Sequence, residues 1–129
     1  MKPQKVILSL IFVLALFAFF ILKRWHVPRS RELFDRNIEN LIYSRHALCR
    51  MDCRHISKEE INEIMKIGII NLNESRRNRQ PCPTFALQGT TSGGQRLRVI
   101  FAQCKKQTKV VTCYNLDRYF ECHCPGDDN

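Results

Sequence analysis

The run from Val6 to Leu22, VILSLIFVLALFAFFIL, carries no charge and a single polar residue, Ser9. As a helix it spans roughly 25 Å at ~1.5 Å per residue, slightly less than a hydrocarbon core of ~30 Å. Trp25 at the interface and snorkelling Lys5 and Lys23 make up the difference. The run is therefore expected to cross a membrane once, behind a short tail at 1–5. A cleaved signal peptide competes, because Lys2 and Lys5 form a basic start. Against it, the run is longer than a usual signal core and ends in Phe19-Phe20-Ile21-Leu22-Lys23-Arg24 with no small-x-small site. An uncleaved anchor is the expectation.

Flanking cations set the expected orientation. Lys2 and Lys5 precede the span; Lys23, Arg24, Arg29, Arg31 and Arg36 follow it. The excess after the span places the C-terminal domain in the cytoplasm, although the cations of the short tail resist translocation. Cysteine count points the same way. There are 7, an odd number, which reduced thiols explain without a leftover partner. The expected location is thus a membrane crossed once, with the domain in the cytoplasm, which in a bacterium is the inner membrane.

Of the 129 residues, those beyond the span suffice for one small domain. The formal net charge is +9, from 21 Lys+Arg against 12 Asp+Glu. That balance suits phosphate backbones or anionic headgroups, or simply reflects a basic juxtamembrane segment.

The linker is His26-Val27-Pro28-Arg29, and Pro28 prevents an unbroken helix. Ser30 reads as an N-cap, with Phe34, Ile38, Leu41 and Ile42 at helical spacing behind it. Residues 23–40 are accordingly read as linker and helix, the periodicity running on to about Tyr43. A second helical segment, Ser44 to Arg54, is expected to bury Leu48 and Met51. Ser57-Lys58-Glu59-Glu60 is a capping box that opens a third helix with Ile61, Ile64 and Met65 on one face and Gly68 as its stop.

After Gly68 the period changes to that of strands. Ile69 to Leu72 reads as a short strand. Glu74 to Pro83 is a basic loop carrying Arg76, Arg77 and Arg79. Thr84 to Gly89 and Gln95 to Cys104 are strands joined by a Gly93-Gly94 turn, and Lys109 to Tyr114 is the last. Leu97, Val99 and Phe101 share one face, Arg96 and Arg98 the other. Helices followed by a meander describe an α+β domain over 41–116, helices on one face of an antiparallel sheet, then a tail at 117–129.

Ser44-x-His46-Ala47, Arg50-Met51, Arg54-x-Ile56-Ser57, Glu60-Ile61 and Gly68 resemble the signature of a bacterial family of small domains, the domain of unknown function DUF4258. Gly89, Gly94-x-Arg96-Leu97-x-Val99 and Val110-Val111-Thr112 fit its strand block. The likeness runs from about Leu41 to Tyr114. The same layout is more distantly similar to the BrnT toxins, RelE-like ribonucleases, which implies a RelE-like fold more strongly than ribonuclease activity.

Two constellations carry possible chemistry. His46, Arg50 and Arg54 fall at i, i+4 and i+8, one helix face. With Arg96 and Arg98 they could hold a phosphodiester, the histidine moving a proton and the arginines balancing charge. The bland alternative is packing and surface ion pairs. His46, Cys49 and Cys53, with Cys122 and Cys124, form a loose metal set; Cys-x-Cys is a poor zinc knuckle and buried cysteines often act as small hydrophobes. Walker A, G-x-G-x-x-G, G-x-S-x-G and His-Glu-x-x-His motifs are absent from the sequence. No cofactor is expected. The expected function is a membrane-anchored binding module for a protein partner or anionic surface, with a RelE-like endoribonuclease or RNA-binding domain as the alternative.

Overall fold

The computed structural model describes residues 3–25 and 33–127. The linker His26–Arg29, the Ser30 cap and the start of the helix expected behind it lie outside the described residues. The chain forms two units, the second beginning at Phe34.

The first unit is helix α1 (Pro3–Trp25). Its stretch Pro3–Lys23 is long and apolar enough to cross a membrane, its most apolar 18 residues having a mean hydropathy of 2.8. A signal sequence meets the same description.

The second unit is α+β. A 3-10 turn (Ile38–Asn40) and strand β1 (Leu41–Tyr43) precede helices α2 (Arg45–Cys53) and α3 (Lys58–Ile67). Strands β2 (Ile69–Arg76), β3 (Thr84–Thr90), β4 (Arg96–Cys104) and β5 (Gln107–Asn115) follow. The last four form the expected antiparallel meander. β1 adds a parallel strand beside β5, so the sheet is mixed, in the order β1-β5-β4-β3-β2.

Both helix starts follow from their caps. The Ser44 hydroxyl accepts from the Ala47 amide at 2.9 Å. Ser57 and Glu60 make the capping box reciprocally, at 3.1 and 3.0 Å. At the end of α3 the Gly68 amide bonds Ile64 O at 2.8 Å. A Cβ at Gly68 would run into that carbonyl and stand 3.2 Å from Leu87 Cβ, so only glycine fits.

The core lies between the helices and one sheet face. Ile61, Ile64 and Met65 of α3 and Ala47 and Met51 of α2 meet Leu87, Leu97, Val99, Phe101 and Val110. Leu48, expected in this core, is exposed instead, and Ala47 takes the inward position. Val110 and Cys113 are both in the core, three residues apart, because the β4–β5 register shifts between Ile100 and Phe101.

Phe34 to Tyr43 is not the helix its spacing suggested. Phe34 packs its ring 5.4 Å from those of Phe85 and Phe101. Asp35 and Gln103 exchange two hydrogen bonds of 3.0 Å. Arg36, counted above as a topology-setting cation, caps α3 by donating to Met65 O, Lys66 O and Gly68 O at 2.7, 3.0 and 2.9 Å. Leu41 to Tyr43 then pair with Thr108 to Val110. The open edge of β5 and the bare carbonyls of α3 offer more than local helical hydrogen bonds would.

Candidate functional site

α2 lies against the part of β5 that β1 leaves open. The Ser44 amide donates to Val110 O and the Ser44 hydroxyl to Val111 O, both at 3.1 Å. From this anchored start the spacing does put His46, Arg50 and Arg54 on one face. What covers that face is the chain itself. After β5, residues 116–127 double back over α2 as a strap, bonded to it through Cys49–Cys124 and Cys53–Cys122, with Cα separations of 5.8 and 6.0 Å.

The strap engages the polar groups. His46 Nδ1 lies 3.0 Å from Pro125 O; a carbonyl only accepts, so Nδ1 carries the proton there. That leaves Nε2 to accept from Arg50 Nε at 3.3 Å. Arg50 Nη2 lies 2.6 Å from Asp127 Oδ1, and the Cys124 amide donates to Asp127 Oδ2 at 2.8 Å. The Cys124 hydrogen bond, aided by Arg50 and His46, holds the Asp127 carboxyl below its usual range. Gly126, at φ 94°, supplies the left-handed turn that brings the carboxylate back.

Arg54 reaches the β5 edge, donating to Cys113 O, and stands 4.8 Å from the Tyr114 ring centroid. Burial, then neighbouring Arg50, lowers its pKa. Arg96 and Arg98 do not join this group by any hydrogen bond or ion pair. Arg96 pairs with Asp117 at 2.9 Å. Arg98 bonds Gln88 Oε1 at 2.9 Å and Glu74 at 3.2 Å. The five residues expected to share one phosphodiester site thus fall into two separate sets, and of their arginines Arg50, Arg96 and Arg98 are paired with carboxylates.

The cysteines converge but as disulfides. Cys49, Cys53, Cys122 and Cys124 have no thiolate left for a metal, and no group of three or more His, Cys, Asp or Glu among the described residues is arranged to hold one. A third disulfide, Cys82–Cys104, has a Cα separation of 5.1 Å. Cys113 alone is free, and it is buried. Reduced thiols, expected from the odd count, are therefore found at one position only. The pairing was not readable from spacing, and nothing in the sequence marked Asp127, within the tail at 117–129, as the partner of Arg50.

Cys82–Cys104 also joins two basic segments: the expected loop from Glu74 to Pro83, which remains strand β2 as far as Arg76, and the β4–β5 turn. Arg76, Arg77 and Arg79 lie before Cys82, and Lys105 and Lys106 follow Cys104; all five are exposed. None makes an ion pair with a carboxylate among the described residues. They form one cationic pole held by a covalent bond.

Fold and site together define a small α+β domain stapled by disulfides, with an apolar helix before it. Residues 43–115 match the family described as Domain of unknown function (DUF4258), and the chain belongs to that family. The match stops short of Cys122 and Cys124, so the strap lies outside the matched residues. No curated protein and no solved structure matches the chain.

Proposed function

We propose that the domain is a non-catalytic binding module, displayed on the non-cytoplasmic face of a membrane by α1 as a single-span anchor, with the cationic pole as its docking surface. The observation that carries this reading is the engagement of His46 and Arg50, the expected proton carrier and its neighbouring cation, by Pro125 and Asp127 of the strap. A ribonuclease needs such groups free to meet phosphate, and here the chain already uses them.

Cysteine chemistry supports this location. Stable disulfides belong to oxidising compartments, which reverses the cytoplasmic placement expected from charge counting. The cations of the short N-terminal tail support the reversed orientation by staying in the cytoplasm. The partner is an acidic protein surface. Five exposed cations, fixed by Cys82–Cys104, complement it without losing much freedom on docking.

Labelled polyglutamate is the test probe, titrated into the full chain in detergent micelles at 0.15 M salt. Replacing Arg76, Arg77, Arg79, Lys105 and Lys106 with Gln is expected to weaken binding at least tenfold. Equal binding by that variant would refute the docking surface. RNA cleavage by the full chain, relieved by His46→Ala, would refute the non-catalytic assignment.

A further inference from the structure

A cleft of about 430 Å³ opens where α2, the β3–β4 turn, β5 and the strap meet. Arg54, His55, Gln95, Asn115, Arg118 and Phe120 are among the residues that line it. Its size is that of a small-molecule site. Its charge is one-sided. The carboxylate in its lining, Asp117, is paired with Arg96. Arg54 and Arg118 make no ion pair with a carboxylate among the described residues. Arg54 is partly buried, and a partly buried cation without a counter-ion marks a place short of negative charge.

The walls are held in register by a chain of side-chain bonds. Gln95 Nε2 donates to His55 O at 3.3 Å, and Asn115 Nδ2 to Gln95 Oε1 at 2.9 Å. Asn115 Oδ1 then accepts from the amides of Asp117 and Arg118 at 3.0 and 2.9 Å, fixing the turn that carries Arg118. His55 sits at φ 54°, a left-handed conformation costly for a residue with a side chain. Its ring meets Phe120 edge-on at 6.0 Å. Cys53–Cys122 closes the arrangement covalently, one residue from Arg54 and two from Phe120.

We infer that this cleft binds a small ligand through an oxyanion, a phosphate or carboxylate group, with the Arg54 and Arg118 guanidiniums supplying the charge and the His55 and Phe120 rings flanking the remainder. Planar guanidiniums suit such groups because they can donate in pairs. The site is independent of the cationic pole. Arg118 and Phe120 also lie beyond the residues that match the family, so the pocket is completed by the strap.

Calorimetry on the oxidised full chain in micelles tests this, with inorganic phosphate, pyrophosphate and citrate as probes. Saturable binding of at least one is expected; whether pyrophosphate or citrate binds tighter distinguishes the two oxyanions. Arg118→Ala and Arg118→Glu should each weaken it at least tenfold with Tm unchanged, because Arg118 is exposed. Arg118→Lys should recover part of the loss. The five-fold Gln variant of the cationic pole should bind like wild type. No saturable binding of any probe, or binding that both Arg118→Ala and Arg118→Glu leave intact, would overturn the inference.

Discussion

Arg54 completes the hydrogen bonding of Cys113: its guanidinium takes the carbonyl on the sheet edge that β1 is too short to cover. An edge strand with bare carbonyls invites pairing with another chain. Here the serine cap at one end of α2 and the arginine at the other close that edge from the side.

Arg54→Ala leaves that carbonyl unpaired and removes the cation over Tyr114. A loss of about 2 kcal/mol is expected, read as a lower urea midpoint at unchanged slope. Arg54→Lys should recover only part, because an ammonium lacks the planar fork that serves both contacts.

The two strap disulfides close nearly the same loop, with separations of 75 and 69 residues. Removing either alone frees only the small ring between them, so the chain-entropy cost is about 2–3 kcal/mol. Removing both releases the whole loop, at about 7 kcal/mol, enough to unfold many small domains. Denaturation of Cys49→Ser/Cys124→Ser, Cys53→Ser/Cys122→Ser and the quadruple variant should show this non-additivity.

Cys113 should be the sole thiol found without reductant. Burial pushes its pKa up to about 11, so at pH 8 the folded protein should resist alkylation. Unfolded without reductant it should take up one label, and after reduction seven, by mass.

Asp127 should make the strap acid-sensitive. Its carboxyl is held below the unfolded value, so its contribution is fully present above that value and fades as pH falls through the depressed one. The protection of the Cys124 amide, its exchange relative to the unfolded rate at the same pH, should therefore fall below about pH 4. Asp127→Asn should exchange faster at neutral pH and lose this dependence.

Much of the scaffold was legible because it is local. Ser57, Glu60 and Gly68 mark α3 by chemistry within one turn, and Leu97, Val99 and Phe101 alternate as a half-buried strand must. Phe34 to Tyr43 was not, since its apolar spacing fits a helix equally well. Only the distant Phe85, Gln103 and β5 decide otherwise. The shared face of His46, Arg50 and Arg54 was also legible. Its occupation was not, because Asp127 and Pro125 reach it across the whole domain.

The Cys49–Cys124 bond has a mechanical consequence. Tension applied between Phe34 and Asp127 passes down β1 into the first turns of α2, across the disulfide and out through the last few residues. The chain from Arg50 to His123 lies in a covalent bypass and bears no load. A domain tethered at one end and gripped at the other would lose β1 while its meander, its α3 packing and its cleft walls stayed whole.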